Sequence, residues 1–235
     1  MIGHGLEITT RIGCLNCDYC PQDRLLAAYK SDTKSMSLET FSACVAEIPE
    51  SVRIHFSGFC EPFLNHDCSK MICLAHEWGH PVVVYTTLVG FDRLDADLIF
   101  DIPFVDFAVH VPDEHTHYKF GSFLDGLRLL NEYRINFRFE QVVSPITRAG
   151  NDGSVRPTIA GHIACRENRH MQNVLLPNGD VYLCCMDYGL QHRLGNLLTD
   201  TYESLFESTE HRRIVAGFAD GSDTLCRKCE RAYNA

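Results

Sequence analysis

The sequence predicts an α/β protein, in which a partial barrel of about five to six parallel strands precedes a small C-terminal α+β unit. Three observations carry this prediction. Short apolar runs alternate with helical patterns in the first part of the chain. Residues 144–163 are rich in Pro, Gly, Ser, Asn and Asp and have no apolar period, which indicates a connection. After it, two apolar runs flank the turn sequence Pro177-Asn178-Gly179-Asp180, which is typical of a β-hairpin. We place the barrel in residues 1–147, the connection in 148–163 and the small unit in 164–235.

Each predicted element follows from a local pattern. The strands of the first unit are residues 6–12, 52–57, 81–86, 104–110 and 136–142. Apolar residues recur at helical spacing around residues 38–48, 71–78 and 123–130, and Ser37 is well placed to cap the first of these helices. Strands that alternate with helices form parallel βα units, and a closed barrel of eight strands needs about 250 residues. An open, TIM-like barrel is therefore expected. In the second unit we expect a hairpin of residues 173–176 and 181–184, and short helices at residues 202–207 and 210–218.

Composition excludes several classes of protein. The chain has 235 residues, 31 acidic and 21 basic, and a formal net charge of -10, which disfavours nucleic-acid binding through a basic face. No run of about 18 apolar residues predicts a membrane span, and the first residues show no basic region followed by an apolar run. We therefore expect a cytoplasmic location. In that reducing compartment, twelve cysteines indicate metal binding or catalysis.

The first cysteine cluster is Cys14, Cys17 and Cys20, directly after the first predicted strand. A structural zinc ion needs four ligands, and no nearby Cys or His supplies an obvious fourth. A ferredoxin-type run would have a fourth cysteine where Arg24 stands. Three thiolates on a four-iron cluster leave one iron open, and catalysis needs such an open position. Three loop cysteines without a metal are the less favoured alternative.

The carboxyl ends of parallel strands meet at one edge, where sites form. The loops after the other predicted strands carry polar and sulfur groups, which are Gly58–Glu61, Thr86 and Thr87, His110–Asp113 and residues 141–144. We expect these groups to lie near the first cysteine cluster. The loop of residues 112–117 is either a source of hydrogen bonds to a substrate or a solvated acidic loop.

A second cluster consists of Cys165, Cys184, Cys226 and Cys229. One cysteine precedes the hairpin, one ends it, and two lie in a Cys-x-x-Cys loop. By spacing alone, a zinc site and an iron–sulfur site are equally good interpretations.

These motifs resemble the radical S-adenosylmethionine (SAM) enzymes, which carry a three-cysteine motif after the first strand of a partial barrel. Tyr19 matches the aromatic residue before the last cysteine, although the first spacing is one residue shorter than usual. Residues 56–65 resemble the motif that ends in Glu-Pro, so the resemblance implies that Glu61, beside Gly58, holds the amino group of SAM. It also implies SAM contacts for four residues at strand ends, which are Thr86, Thr87, His110 and Gln141.

The second cluster resembles the auxiliary-cluster extension of these enzymes in its shortened, single-cluster form, the twitch domain. The run Arg148-Ala149-Gly150-Asn151 resembles the lead-in of that domain. The resemblance implies two [4Fe-4S] clusters, with Cys14, Cys17 and Cys20 on one and Cys165, Cys184, Cys226 and Cys229 on the other. Cys185 is expected to be a buried neighbour, although an exchange with Cys184 stays open.

The resemblance implies that SAM is cleaved reductively to a 5′-deoxyadenosyl radical, which removes a hydrogen atom from a substrate. Similarity to the 2-deoxy-scyllo-inosamine dehydrogenases and to proteins of polysaccharide clusters favours a sugar, polyol or aminocyclitol, and either oxidation or epimerisation. Cys60 and Cys185 are candidate hydrogen donors, or simply buried thiols. The implied partner is an electron donor such as flavodoxin or ferredoxin. The alternatives are a radical SAM enzyme that modifies peptides and a non-catalytic iron–sulfur or zinc protein.

Overall fold

The computed structural model describes residues 3–15, 17–113, 116, 120–141 and 147–235. Its strands are β1 Gly5–Ile8, β2 Arg53–Phe56, β3 Val82–Thr86, β4 Asp106–His110, β5 Arg138–Glu140, β6 Ile163–Cys165, β7 Gln172–Leu175, β8 Asp180–Tyr182, β9 Arg193–Asn196 and β10 Ala232–Asn234. Its helices are α1 Gln22–Ala28, α2 Leu38–Val45, α3 Cys68–Glu77, α4 Arg93–Ile99, α5 Phe120–Glu132, α6 Tyr202–Glu207 and α7 Thr209–Asp220.

One mixed sheet organises the described part of the chain, with the strand order β5-β4-β3-β2-β1-β7-β8-β9. Strands β1 to β5 pair in parallel, and β7 joins β1 in parallel on its other side. β8 and β9 continue the sheet in antiparallel fashion, and β6 pairs with β10 in a separate small sheet. The predicted fold class, an open parallel barrel with a small C-terminal α+β part, is confirmed.

The alternation of residues in the strands explains which face of the sheet is covered by helices. Leu6, Ile8, Ile54 and Phe56 are fully buried in one core with apolar residues of α2 to α5. Glu7 lies between Leu6 and Ile8, so its side chain points to the opposite face. We call that opposite face, which carries Glu7 and its neighbours across the sheet, the inner face.

All five predicted helices are present, and side-chain caps explain where three of them start. The Ser37 side chain accepts a hydrogen bond from the Thr40 backbone N–H at 3.0 Å, as the sequence predicts for the start of α2. The C-terminal helices α6 and α7 lie where the sequence places them. The sequence missed α1 and α4, which are only seven residues each. Asp92 and Asp95 form a reciprocal capping box at the start of α4, a signal the sequence contains.

The first strand is shorter than predicted. β1 ends at Ile8 instead of residue 12, because the next residues use their polar groups to hold loops. The Thr9 hydroxyl accepts a hydrogen bond from the Phe59 backbone N–H at 3.1 Å, and the Thr10 hydroxyl donates one to the Pro62 carbonyl at 3.0 Å. The predicted end of the fifth strand, Val142, lies outside the described residues.

The predicted hairpin is confirmed as β7 and β8, with Gly179 at φ +84° in its turn. Because β7 pairs with β1, this hairpin extends the sheet of the barrel. From residue 147 to residue 162 the described chain has no strand or helix, in keeping with a connection. No helix of the described chain is both long and apolar enough to span a membrane.

Candidate functional site

The three-cysteine loop leaves the sheet at the end of β1, beside the loop that follows β2. The two loops approach so closely that only glycine fits at residue 58. A Cβ on Gly58 would lie 2.4 Å from the Thr9 hydroxyl and 2.8 Å from the Ile8 carbonyl oxygen, and its φ is +50°. This contact brings the segment that ends in Glu61 against the cysteine loop, as the sequence predicts.

Cys14 is held by this neighbouring segment. Its sulfur accepts a hydrogen bond from the Glu61 backbone N–H at 2.9 Å. A hydrogen bond from Cys60 lowers the pKa of the Cys14 thiol, which favours the thiolate that metals bind. The Cys60 sulfur also lies 3.3 Å from the Glu61 carbonyl. Cys60 therefore contacts a predicted cluster ligand directly.

Cys20 receives hydrogen bonds from two different parts of the chain. The Gln22 side-chain amide donates to its sulfur at 3.1 Å and to the Phe59 carbonyl at 2.7 Å. The Tyr188 hydroxyl lies 3.3 Å from the same sulfur. The Tyr188 ring packs on Phe59, with 4.6 Å between ring centroids. A residue of the C-terminal part thus touches the first cysteine loop, a contact that no local sequence pattern predicts.

The Glu61 carboxylate is buried at the ends of β2 and β3 and is only 4% exposed. It accepts hydrogen bonds from the Thr86 hydroxyl at 2.7 Å and from both the hydroxyl and the backbone N–H of Thr87 at 2.6 Å. The Phe63 backbone N–H also donates to it at 3.3 Å. Burial raises the pKa of Glu61, whereas these donors oppose the rise. Thr86 and Thr87 therefore orient the predicted SAM-binding carboxylate.

The second set of cysteines lines one small cavity. Cys165, Cys184, Cys226 and Cys229 face it together with apolar side chains such as Met186 and Phe218. Cys185 is not among the lining residues. The structure thus brings Cys184 to the other three predicted ligands and turns Cys185 elsewhere. Burial raises the pKa of Cys226 to about 12 and of Cys229 to about 11, so metal binding must displace protons.

The four cysteines surround this cavity without converging on one point. Among the described residues, no three His, Cys, Asp or Glu side chains lie close enough to hold a single metal ion. A zinc ion draws its sulfur ligands to about 2.3 Å. Four thiols, which are soft ligands, lining one cavity are a donor set that an iron–sulfur cluster can use.

Cys185 points to the inner face of the sheet, into a polar cluster that the sequence did not reveal. The Arg169 guanidinium donates to its sulfur at 3.2 Å and lies 3.5 Å from the Glu7 carboxylate. The Gln172 amide donates to Glu7 at 2.7 Å. Glu7 is 3% exposed, and burial raises its pKa. The only sequence signal was an acidic residue between two buried apolar residues in a strand.

The inner face remains polar toward β5. Tyr85 and His110 make an edge-to-face contact with 6.2 Å between ring centroids, and burial lowers the pKa of His110. The Arg138 guanidinium lies 5.7 Å from the Tyr85 ring and pairs with Asp106 at 2.7 Å. His110 therefore lies on the inner face, as predicted from its place at a strand end.

Two further residues are predicted to contact SAM. Gln141 is exposed at the end of β5, and Tyr19 is half-buried in the cysteine loop. In the predicted acidic loop, Glu114, His115 and His117 lie outside the described residues, as does Ser144 in the loop after β5.

A strained turn joins the two cysteine sites. Arg148 and Ala149 both have positive φ, +51° and +57°, which is costly for residues other than glycine. The Glu230 carboxylate accepts hydrogen bonds from both of their backbone N–H groups at 3.0 Å. Glu230 follows Cys229, and the Arg148 guanidinium lies 5.8 Å from the Tyr188 ring. Arg148 is therefore fixed between the loops of the two sites.

Comparison with known proteins places this arrangement in a class. Residues 165–230 match the SPASM family, described as an iron–sulfur cluster-binding domain. These residues carry the four cysteines of the second cavity. No curated protein sequence matches the chain significantly.

Solved structures extend the likeness to the whole chain. BtrN in complex with AdoMet (SAM) and 2-DOIA has a TM-score of 0.73 at 16% identity, covering 98% of this chain and 94% of that one. The protein anSMEcpe with bound AdoMet has a TM-score of 0.62 at 17% identity, covering 96% and 86%. Streptococcus suis SuiB, bound to the precursor peptide SuiA, has a TM-score of 0.63 at 10% identity, covering 97% and 70%.

These findings define the fold. The chain shares its fold with BtrN and anSMEcpe, both solved with bound AdoMet, as the sequence resemblance predicts. Within that fold, residues 165–230 are the part that matches the SPASM iron–sulfur cluster-binding domain.

Proposed function

We propose that this protein is a radical SAM enzyme with two [4Fe-4S] clusters that oxidises or epimerises a small, sugar-like or aminocyclitol-like molecule. The observation that carries the proposal is the pair of cysteine sites on one fold. One is a three-thiol loop beside a buried carboxylate, and the other is a cavity lined by four thiols in a SPASM domain. A structural metal protein would not need the first.

The first site is suited to an open cluster. Cys14, Cys17 and Cys20 would be its ligands, and the Glu61 backbone N–H donates a hydrogen bond to the Cys14 sulfur. The Glu61 carboxylate would hold the ammonium group of SAM in a charge-assisted hydrogen bond. When bound together, the cluster and SAM supply a radical able to remove a hydrogen atom from carbon. The protein binds, orients and excludes water.

The second site would hold the auxiliary cluster on Cys165, Cys184, Cys226 and Cys229. Cys185, beside it in sequence, instead reaches the inner face with Glu7 and Arg169. A cluster held next to the inner face can accept an electron from a substrate, which would give net oxidation. A thiol at Cys185 can donate a hydrogen atom, which would give epimerisation. Cys60 is less suited to that role, because it contacts Cys14 and backbone carbonyls.

The polarity of the inner face supports a polar substrate. Glu7, Gln172 and Arg169 offer acceptors and donors at its centre, and Tyr85 and Arg138 do so near β5. Such groups match hydroxyl and amino substituents. Burying them against an apolar molecule would cost free energy, because their hydrogen bonds to water would be lost. The 2-DOIA bound to BtrN gives a first molecule to test.

The test is incubation of the reconstituted protein with SAM, a reductant and single candidates: 2-DOIA, a panel of sugars and cyclitols, and peptides. The proposal expects 5′-deoxyadenosine in proportion to an altered small molecule. Incorporation of one deuterium from D₂O would distinguish epimerisation from oxidation. Turnover of peptides alone would contradict the proposed substrate class.

A second candidate is modification of a peptide. It is favoured by SuiB, which was solved with a precursor peptide and has a TM-score of 0.63 with this chain. The same incubation separates the two candidates, because a peptide substrate would change in mass while sugars and 2-DOIA stay unaltered.

A further inference from the structure

A second cavity lies outside the two cysteine sites and borders both of them. It has a volume of about 350 Å³. Arg24 of α1 lines it on one side, and α1 begins at Gln22, whose amide contacts Cys20. Lys228 lines it on another side, between Cys226 and Cys229. Residues 149–151 of the strained turn form part of its wall. This cavity is therefore close to the ligands of both proposed clusters.

The charge of this cavity is opposite to that of the chain. The protein has a formal net charge of -10, yet the cavity is lined by Arg24, Arg156 and Lys228 and by a single acid, Asp223. Asp223 pairs with Lys228 at 3.3 Å. Neither Arg24 nor Arg156 forms an ion pair with any residue that the structure describes. The lining of this cavity thus carries two cations without an ion pair among the described residues, on a protein that is acidic overall.

Polar atoms inside the cavity also lack partners within the described chain. The Nε of Arg156 and the Nε2 of His192 are buried and make no hydrogen bond, and His192 is only 5% exposed. Buried polar groups are normally satisfied. A carboxylate entering the cavity would accept a hydrogen bond from Arg156. Val155, another residue of the lining, is 98% exposed, so the cavity opens to the surface.

We propose that this basic cavity is the docking site for an acidic one-electron carrier protein of the flavodoxin type. An acidic side chain of the carrier would enter the cavity, and surrounding acidic residues would pair with Arg24 and Arg156. The inference rests on the proposed function, since it requires redox-active clusters. In each docking event the reduced carrier loses one electron and one cluster of this protein gains it. No bond is formed or broken and no other reactant is needed.

Electrostatic complementarity acts mainly on the rate of association, which salt screens. A protein that is acidic overall repels an acidic carrier, whereas a patch of unpaired cations attracts it. Removing the patch should therefore slow reduction by the carrier and leave reduction by a small molecule unchanged. This difference separates docking from the properties of the clusters themselves.

The experiment uses the full chain, reconstituted with iron and sulfide, and follows cluster bleaching after mixing with photoreduced flavodoxin. The test variant is the double substitution Arg24→Glu and Arg156→Glu. The matched control is Lys70→Glu with Arg128→Glu, two exposed residues on α3 and α5 that give the same change in net charge. We expect the test variant to lower the second-order rate constant about tenfold at low ionic strength, and the control to change it far less. The difference should shrink in high salt.

Three outcomes would overturn the inference. They are equal rates in the wild type and the test variant, equal losses in the test and control variants, or inhibition of the wild type by orthophosphate at constant ionic strength, which would identify a small-anion site. Dithionite provides the reference for the proposed function. If dithionite reduces both variants as fast as the wild type, their clusters are intact. A slower reaction with flavodoxin then reports on docking alone. If no reducible cluster forms in the wild type, the proposed function itself fails.

Discussion

Arg227 should be essential for the second cysteine site. It lies between Cys226 and Cys229 and is 1% exposed. Its guanidinium donates to the carbonyls of Ile159 at 2.8 Å and Gly161 at 2.9 Å, both in the connection. It also donates to the carbonyl of Gly217 in α7 at 2.6 Å and to that of Ser222 at 3.1 Å. One side chain therefore joins the cysteine loop to three other segments.

The substitution Arg227→Met would keep much of the volume and remove all four hydrogen bonds. The hydrogen bond to Gly217 is buried and the other three are partly buried. At about 1 kcal/mol for each hydrogen bond, we expect the free energy of unfolding to fall by about 4 kcal/mol. Against a typical total of about 5–15 kcal/mol, this is a large loss. Urea denaturation of the metal-free protein measures it. Iron analysis after reconstitution should show loss of the second cluster and retention of the first.

The matched control is Lys228→Met, in the same loop. The Lys228 side chain is 42% exposed and pairs only with an exposed aspartate among the described residues. Such pairs contribute about 1 kcal/mol at most. The control should therefore unfold like the wild type and bind both clusters. A loss below about 1 kcal/mol in Arg227→Met, with full iron content, would refute the reasoning.

Three further predictions concern single residues. Glu61→Gln should weaken SAM binding at least about tenfold, because a charge-assisted hydrogen bond contributes about 1.5–3 kcal/mol; calorimetric titration of the reconstituted protein checks this, and unchanged affinity would contradict it. Cys184→Ala should remove about four irons and Cys185→Ala none, whereas equal iron contents in the two variants would contradict the assignment of Cys184 as the ligand. The hydrogen bond from Arg213 and that from His192 lower the pKa of Glu210 to about 2. Because this folded-state pKa is below the ordinary value, Glu210 stabilises the fold above about pH 4.5 and loses this effect as the pH falls toward 2. Glu210→Gln should thus cost about 0.5 kcal/mol at pH 7 and nothing near pH 2, as measured by denaturation; a cost that does not vary with pH would exclude the ion pair as its cause.

The elements of the fold that the sequence predicted are those with a strong local period. The helix over Leu38–Val45 has both an apolar stripe and a capping serine, and the hairpin has Asn178-Gly179 at its turn. The helices Gln22–Ala28 and Arg93–Ile99 are too short for a clear period. The parallel pairing of β7 with β1 joins residues more than 160 positions apart, and no local pattern encodes such a pairing.

The residues of the candidate site also fall into two groups, those that a local sequence pattern reveals and those that depend on contacts between distant segments. The cysteines and Glu61 were visible because thiol spacing and strand-end position are sequence properties. The resemblance favours Cys184 over Cys185 as a ligand but leaves an exchange open, because local sequence does not determine the direction of two adjacent side chains. Arg169, Tyr188 and Arg227 were missed for a related reason. Each acts through contacts with distant segments, which exist only after the chain has folded.

The central claim is that the two cysteine sites hold two clusters and that the first one cleaves SAM. The most direct measurement is anaerobic reconstitution, followed by iron and sulfide analysis and by assay of 5′-deoxyadenosine after addition of SAM and dithionite. We predict about eight irons per chain, formation of 5′-deoxyadenosine, and about four irons with no SAM cleavage when Cys14, Cys17 and Cys20 are all replaced by alanine. Bound zinc in place of iron, or a protein with both clusters that never cleaves SAM in the presence of candidate substrates, would contradict the claim.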